Sequence, residues 1–404
     1  MDLLRFITAG SVDDGKSTLT GKLLHDTGSI KEDIVHSIKI GEESINLAHI
    51  TDGLRSEREG GITIDIGYKY FNTDNRKFII ADAPGHFQYT KNLVTGASNA
   101  DLIIVLIDAQ NGVTSQTRMH LMVASFLKLR HVLVAINKMD LVEYKESVFN
   151  DISDEVKMLA TELGIADIDF IPISALKGDN VLQRATHLNW YNGPSLLECL
   201  NGYEINNPDY DLPVRVYIQY IIQADDKQLC FAKVLSGVLS KADVLSHYLI
   251  NKEVEIDTLL VDNESVKSAK AGENVCLFLD KSVTLESGDI LGATGDQPMV
   301  RDEFEVDICW LEAETELKKG SQYLLRLNSP GIPCNVSGII HKRTIADLGY
   351  VTTADNVSVN EFARIKLKTQ SHVVFDSYCH LQKSGRGILI DIETNNTVAA
   401  VIVV

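Results

Sequence analysis

Gly10-Ser11-Val12-Asp13-Asp14-Gly15-Lys16-Ser17-Thr18 is the stretch that decides the fold. It follows an apolar run, Leu4 to Ala9, that reads as a strand, and from Lys16 it opens a segment that reads as a helix. In a strand–loop–helix setting the pattern G-x-x-x-x-G-K-[ST] is a phosphate cradle. Glycine lets the backbone turn tightly enough for successive amide N–H groups to face phosphate oxygens. The positive end of the following helix adds a favourable field. Lys16 is then placed to reach the β- and γ-phosphates of a nucleotide, and the Ser17 hydroxyl to ligate Mg²⁺.

Two further strings extend this reading. Asp82-Ala83-Pro84-Gly85-His86 follows the strand-like run Lys77 to Ala81. Asp82 there has the position of a carboxylate that holds Mg²⁺ through bound water, and Gly85 can bring its backbone N–H to a γ-phosphate because no side chain blocks the approach. Asn137-Lys138-Met139-Asp140 follows the apolar run His131 to Ile136. A carboxylate at Asp140 accepts hydrogen bonds from guanine N1 and N2, which adenine does not offer, and an unpaired buried acceptor would cost about 1–3 kcal/mol with the wrong base. Asn137 is expected to tie this loop to the phosphate loop, the Lys138 stem to cover one face of the base, and Ser174-Ala175-Leu176 to supply backbone N–H to guanine O6. Together the strings predict a GTP/GDP site with Mg²⁺.

The polar stretch from Gly28 to Asp65 is long for a compact domain, and such loops are usually functional. It reads as a switch in which Thr63 closes on Mg²⁺ and the γ-phosphate and releases after hydrolysis. The plainer reading makes Arg55, Glu57, Arg58 and Glu59 a solvated helix face, and the two are compatible. His86, next to the γ-phosphate sensor, is the candidate for orienting the attacking water. Lys16, Thr63 and His86 form the expected catalytic set.

Outward from these motifs, the first two hundred residues alternate strands and helices, the pattern of a mainly parallel sheet with helices on both faces. Strand-like runs lie at Leu4 to Ala9, Lys77 to Ala81, Leu102 to Asp108, His131 to Asn137 and Phe170 to Ile173. Helix-like segments begin near Lys16, Gln88, Thr114 and Tyr144. Each signature string sits at the carboxyl end of a strand, where an open α/β sheet places its ligand. Tyr203 to Asp211 reads as a linker. Beyond it, short β-branched runs separated by Gly, Asn and Asp turns read as barrels or sandwiches. The expected architecture is an α/β P-loop domain over residues 1–207 followed by two β-barrel domains over 208–296 and 297–404.

The chain of 404 residues carries 38 basic and 56 acidic residues, a formal net charge of −18. That surface disfavours non-specific binding to nucleic acid or anionic membrane. Six cysteines with no C-x-x-C pair suit a reducing cytoplasm and argue against a disulfide framework or a zinc ribbon. Cys379-His380 reads as strand packing rather than a metal site. The apolar runs are too short to span a bilayer, and Leu3 to Ala9 reads as a first strand rather than a signal peptide.

The string Gly61-Ile62-Thr63-Ile64, with Asp82 to His86, resembles the translational GTPases typified by elongation factor Tu. A narrower resemblance, to the large subunit of bacterial sulfate adenylyltransferase, rests on Gly10 to Leu19, Thr51 to Glu59, Gln88 to Asn92, Thr95 to Ser98 and Val134 to Leu141. Ser174 to Val181, Trp190 to Pro194 and Ile388 to Val398 add to it. That resemblance implies a GTP-hydrolysing subunit that works with a smaller catalytic partner, which joins sulfate to AMP from ATP and releases pyrophosphate. Ala83, Gly60 and Phe87 depart from the family pattern, and Asp225 to Leu235 lacks its glycine- and arginine-rich hairpin. With no second P-loop before Val404, the adenylylsulfate kinase fused to some relatives is not expected. The alternatives are a tRNA-binding elongation factor, against which Asp14 and the Thr51 to Glu59 string count, and a GTP-dependent scaffold with little hydrolysis.

Overall fold

A computed structural model of the chain describes residues 2–30, 39–40, 44–45, 65–205, 208–223, 227–280, 283–328 and 330–404. The chain divides into two compact units, residues 1–205 with 345–348, and residues 206–344 with 349–404.

The first unit is built on β1 (Asp2–Gly10), a short hairpin of β2 (Lys39–Ile40) and β3 (Ser44–Ile45), β4 (Gly67–Asn72), β5 (Arg76–Asp82), β6 (Leu102–Asp108), β7 (His131–Asn137) and β8 (Ile168–Pro172). Its helices are α1 (Lys16–Asp26), α2 (Thr90–Ala97), α3 (Ser115–Phe126), α4 (Glu146–Leu163) and α5 (Leu196–Gly202). The main sheet has the order β4-β5-β1-β6-β7-β8. All neighbours are parallel except β4, which runs antiparallel to β5 at one edge. Every residue of β6 is buried, as a central strand covered on both faces requires. Leu4 and Phe6 of β1 pack with Leu19 and Leu23 of α1 and Leu196 and Leu200 of α5. Ile7 points to the opposite face, where Gly96 of α2 leaves room for its Cδ1; a Cβ there would come within 2.8 Å.

Two elements depart from the sequence expectation. The edge strand β4 was not anticipated, because Tyr68 and Tyr70 are exposed while Phe71 alone is buried, so its alternation carries little apolar signal. Helix α5 was also missed, although Ser195 and Glu198 form a reciprocal capping box at its start. The segment expected as a helix from Gln88 begins as a short 3₁₀ turn over Phe87–Tyr89.

The second unit holds both β-modules. In the first, strands Val244–His247, Ile290–Ala293, Arg215–Gln223, Lys227–Ser236, Asn274–Asp280 and Lys252–Val261 pair in that order, and the last pairs back to the first to close the ring. In the second, Met299–Trp310, Phe362–Phe375, Ile332–Arg343, Gln322–Arg326, Arg386–Asp391 and Thr397–Val403 form a closed barrel. Closure removes the unpaired edges of both sheets. Trp310, Leu325, Val336, Ile365 and Phe375 fill the second barrel. Between the two modules Arg215 is buried. Its Nε and Nη2 donate to Asp376 at 3.2 and 3.0 Å, and Nη2 also donates to Asp296 at 2.5 Å.

Candidate functional site

The parallel order brings the carboxyl ends of β1, β5, β6, β7 and β8 to one edge of the sheet. Gly10, Asp82, Asp108 and Asn137 are the last residues of their strands. In register, Thr8 lies beside Asp82 and Asp108 beside Asn137. The motifs far apart in sequence therefore meet at one rim.

The phosphate loop turns through Asp13 and Gly15, both left-handed, at φ 69° and 95°. The Ser11 N–H donates to Asp14 Oδ2 at 2.5 Å, closing the loop from within. Burial raises the Asp14 carboxyl above its ordinary range, partly opposed by that amide. Lys16, Ser17 and Thr18 form the first turn of α1. Lys16 is buried and its Nζ donates to the carbonyls of Gly10 at 3.0 Å and Ser11 at 2.8 Å. Burial lowers the Lys16 ammonium, while Asp82, Asp14 and Asp13 act in the opposite sense. Val12 is half-buried and Asp13 exposed.

Asp82 is buried, and its Oδ1 accepts from the Thr8 hydroxyl at 2.7 Å. Ala83 and Pro84 are buried behind it. Gly85 lies against the phosphate loop: a Cβ there would come within 2.6 Å of both the Gly10 carbonyl and Lys16 Nζ. His86 is exposed, and its Nδ1 accepts from the Gln88 N–H at 3.4 Å, capping the short turn that follows. Thr63 and the rest of the switch-like stretch from residue 31 to residue 64, the two hairpin strands apart, lie outside the described residues, as does Gly60.

The base-side loops are joined to the phosphate loop through Asn137. Its Nδ2 donates to the Asp14 carbonyl at 2.7 Å, and its Oδ1 accepts from the Ala175 N–H at 2.9 Å. One buried amide thus holds three loops together. Lys138 is left-handed at φ 61°, and its Nζ pairs with Asp108 at 2.8 Å, which fixes the stem. Met139 is buried, and Asp140 sits in a short turn over Met139–Val142 with Lys177 Nζ 3.6 Å from its carboxylate. Ser174 is buried and Leu176 exposed.

Several contributors were not singled out from sequence. Asp108 ends β6 before an Ala-Gln-Asn-Gly turn, and that position at a strand end was its signal. Thr114 caps α3 and its Oγ1 is 2.8 Å from Ser11 Oγ, tying that helix to the phosphate loop. His120 of α3 lines a small cleft with Pro84, Gly85, His86 and Phe87, and its Nδ1 is buried without a partner. Burial, with the Lys16 charge second, pushes its imidazole down to about 3, so it is neutral at pH 7. No group of three His, Cys, Asp or Glu residues among the described residues has the geometry to hold a metal alone.

A glycine loop between strand and helix, with an Asn-Lys-x-Asp turn locked onto it, defines a P-loop domain of the guanine-nucleotide kind. The sequence matches the family described as the Elongation factor Tu GTP binding domain over residues 1–229, and residues 303–404 match a GTP-eEF1A C-terminal domain-like family. The chain is 39% identical, over its whole length and 85% of the relative's, to sulfate adenylyltransferase subunit 1 of Shewanella oneidensis. It is 41% identical to the protein of the same name from Chromobacterium violaceum, across 100% of this chain and 86% of that one. The bifunctional enzyme CysN/CysC of Mycobacterium tuberculosis is 40% identical over 98% of this chain, which spans 66% of that protein's length. Among solved structures, the GTPase-like domain of Saccharomyces cerevisiae Ski7 has the same fold, with a TM-score of 0.56 at 16% identity over 100% of this chain and 97% of that one. The chain belongs to the sulfate adenylyltransferase subunit 1 family, within the elongation factor Tu-like GTPases. No helix among the described residues is long and apolar enough to cross a membrane.

Proposed function

We propose that this chain binds and hydrolyses GTP as the regulatory subunit of an ATP sulfurylase. A smaller catalytic subunit would join sulfate to AMP from ATP, forming adenylylsulfate and pyrophosphate, while this chain converts GTP and water to GDP and phosphate. The reading includes three functional domains, 1–207, 208–296 and 297–404, and a cytoplasmic setting, which six cysteines outside any disulfide support.

The observation that carries the proposal is the Asn137 bridge between Asp14 and Ala175, which sets phosphate and base loops at a fixed distance in a chain whose full-length relatives bear the subunit name. Lys16 exchanges its two loop carbonyls for β- and γ-phosphate oxygens. The amides of Ser11 to Thr18 cradle the phosphates, and Asp140 reads the guanine edge with the Lys138 stem over the ring. Gly85 offers its N–H to the γ-phosphate, and His86 orients the attacking water.

Ser17, Asp82 and Thr63 are the residues that would hold Mg²⁺. They are all oxygen donors, and Thr8 already orients the Asp82 carboxylate, which suits a hard cation. When bound, the ion neutralises charge that develops on the phosphate oxygens. Coupling requires that the Thr63 and Gly85 segments favour different partner states with GTP and with GDP.

The test follows GTP hydrolysis and adenylylsulfate together, using the chain with its small subunit, with and without ATP and sulfate. Hydrolysis stimulated by ATP and sulfate, in step with product, is the expected result. Equal adenylylsulfate formation with GDP or without nucleotide would overturn the coupling.

A further inference from the structure

Directly after the Asn137–Asp140 loop the backbone does something costly. Glu143 and Tyr144 are consecutive left-handed residues, at φ 56° and 53°. Neither is glycine, and such conformations persist only where surrounding contacts over-determine them. The contacts are present. Tyr144 N–H donates to the Met139 carbonyl at 2.8 Å, and Trp190 Nε1 donates to the Tyr144 carbonyl at 3.0 Å.

The strained turn aims the Tyr144 phenol at the neighbouring loop. Its hydroxyl donates to Asp179 Oδ2 at 2.5 Å. Asp179 closes the loop that begins at Ser174, whose N–H donates to the Asp179 carbonyl at 3.1 Å. In the same loop Lys177 Nζ lies 5.7 Å from the centre of the Tyr144 ring and 3.6 Å from the Asp140 carboxylate. The three contacts make a closed circuit. Asp140 meets Lys177, Lys177 lies over Tyr144, and Tyr144 holds Asp179 at the far end of the loop that carries Lys177. Burial and then the Asp179 carboxylate raise the phenol above its ordinary range, so it remains a donor throughout the physiological window.

We propose that Tyr144 and Asp179 are positioning residues for guanine selection. Their hydrogen bond fixes the spacing of the two base-side loops and so holds Asp140 where guanine N1 and the 2-amino group meet it. The inference rests on the reading of Asp140 as the base-selecting carboxylate, and it assigns a task to residues whose hydrogen bonds run between the neighbouring loops. Its consequence is specific. Loosening the clamp costs most for a ligand that uses both Asp140 contacts, and less for one that lacks the 2-amino group.

The test measures GDP and inosine diphosphate affinities of the full chain by displacement of a fluorescent GDP analogue. Tyr144→Phe is expected to weaken GDP about tenfold and inosine diphosphate about threefold, in line with loss of one charge-assisted hydrogen bond. Asp179→Ala should match it, Asp179→Asn should retain the acceptor and the wild-type ratio, and the double variant Tyr144→Phe/Asp179→Ala should be no worse than either single one. Asp140→Asn is the control for the underlying reading. If it collapses the GDP preference while Tyr144→Phe leaves the ratio within twofold of wild type, the clamp is overturned alone. If Asp140→Asn also leaves the ratio unchanged, the base reading and the clamp fall together. Equal weakening of both nucleotides by Tyr144→Phe marks a merely structural contact and overturns the proposal.

Discussion

Replacing His120 with leucine should remove a pH dependence from the first unit. The His120 side chain is 3% exposed, its Nδ1 has no partner, and its imidazole is pushed down to about 3 by burial, with the nearby Lys16 charge adding to the effect. An unfolded histidine titrates near 6.5, so between pH 6.5 and 3 the unfolded chain binds a proton that the folded chain refuses. Stability must then rise with pH across that window and is lost as pH falls through it. Well below the unfolded pKa each pH unit is worth about 1.4 kcal/mol, so acidification from 6.5 to 4.5 costs the wild type about 2 kcal/mol through this residue. His120→Leu lacks the term. It also removes an unpartnered buried nitrogen, a cost of about 1–3 kcal/mol, so at pH 7.5 it should be no less stable than wild type. The assay is urea unfolding at pH 7.5, 6.5, 5.5 and 4.5, followed by Trp190 fluorescence with Trp310 replaced by Phe in both proteins. The two stability curves should diverge on acidification. Parallel curves would refute the reasoning, because the other histidines are common to both proteins.

Gly85→Ala places a methyl group within 2.6 Å of the Gly10 carbonyl and of Lys16 Nζ. The carbonyl is backbone and cannot yield, so GTP affinity should fall about tenfold or more while GDP changes far less, by nucleotide titration. A common loss for both nucleotides would contradict the γ-phosphate assignment. Asn137→Ala orphans the Asp14 carbonyl and the Ala175 amide in one step, an expected loss of about 2–6 kcal/mol in unfolding free energy. Bound GDP should recover little of it, and full protection by GDP would show that the bridge is dispensable. In the second unit, Asp376→Ala leaves the buried Arg215 guanidinium with Asp296 as its remaining carboxylate partner, and should cost about 3–5 kcal/mol by urea melting. A change under about 1 kcal/mol would show that Asp296 and water suffice.

Legibility tracked local pattern. The phosphate loop was readable because its glycines, lysine and serine stand at fixed spacing within eight residues between an apolar strand and a helix, so fold and chemistry share one string. The five parallel strands were readable as apolar runs, three of which end in Asp82, Asp108 and Asn137. The edge strand β4 was not, since half of it faces away from the core and its exposed tyrosines break the alternation. The contributors missed at the site have a different origin. Thr8, Asp108 and Thr114 act across strand or helix ends, through partners 74, 30 and 103 residues away. A spacing argument finds residues that touch a ligand in series, whereas such supports are chosen by the sheet order, which single-sequence periodicity does not encode. His120 was hidden for the opposite reason. It sits in an apolar helix stripe as an ordinary core position would, and only the cleft beside it marks it out.

On the proposed function, one point in the structure would couple nucleotide occupancy to the segment that follows Asp82. Lys16 Nζ, the Gly10 carbonyl and the Gly85 backbone converge so closely that a single methyl group at Gly85 would touch all of them. A phosphoryl group is larger than a methyl group. If Lys16 binds the γ-phosphate as proposed, that group would either separate Gly85 from the phosphate loop or take the place of its contact with that loop. In both cases the position of Pro84 to Phe87 becomes a function of what Lys16 holds. A diphosphate, which asks for less of this space, would let Gly85 keep its place against Gly10. On the proposed reading the two nucleotides would impose two positions on one short segment by exclusion alone, before any attractive contact to the γ-phosphate is counted. Exclusion of this kind supplies the differential interaction that a switch requires, because a ligand shifts an equilibrium only by as much as it distinguishes the two states.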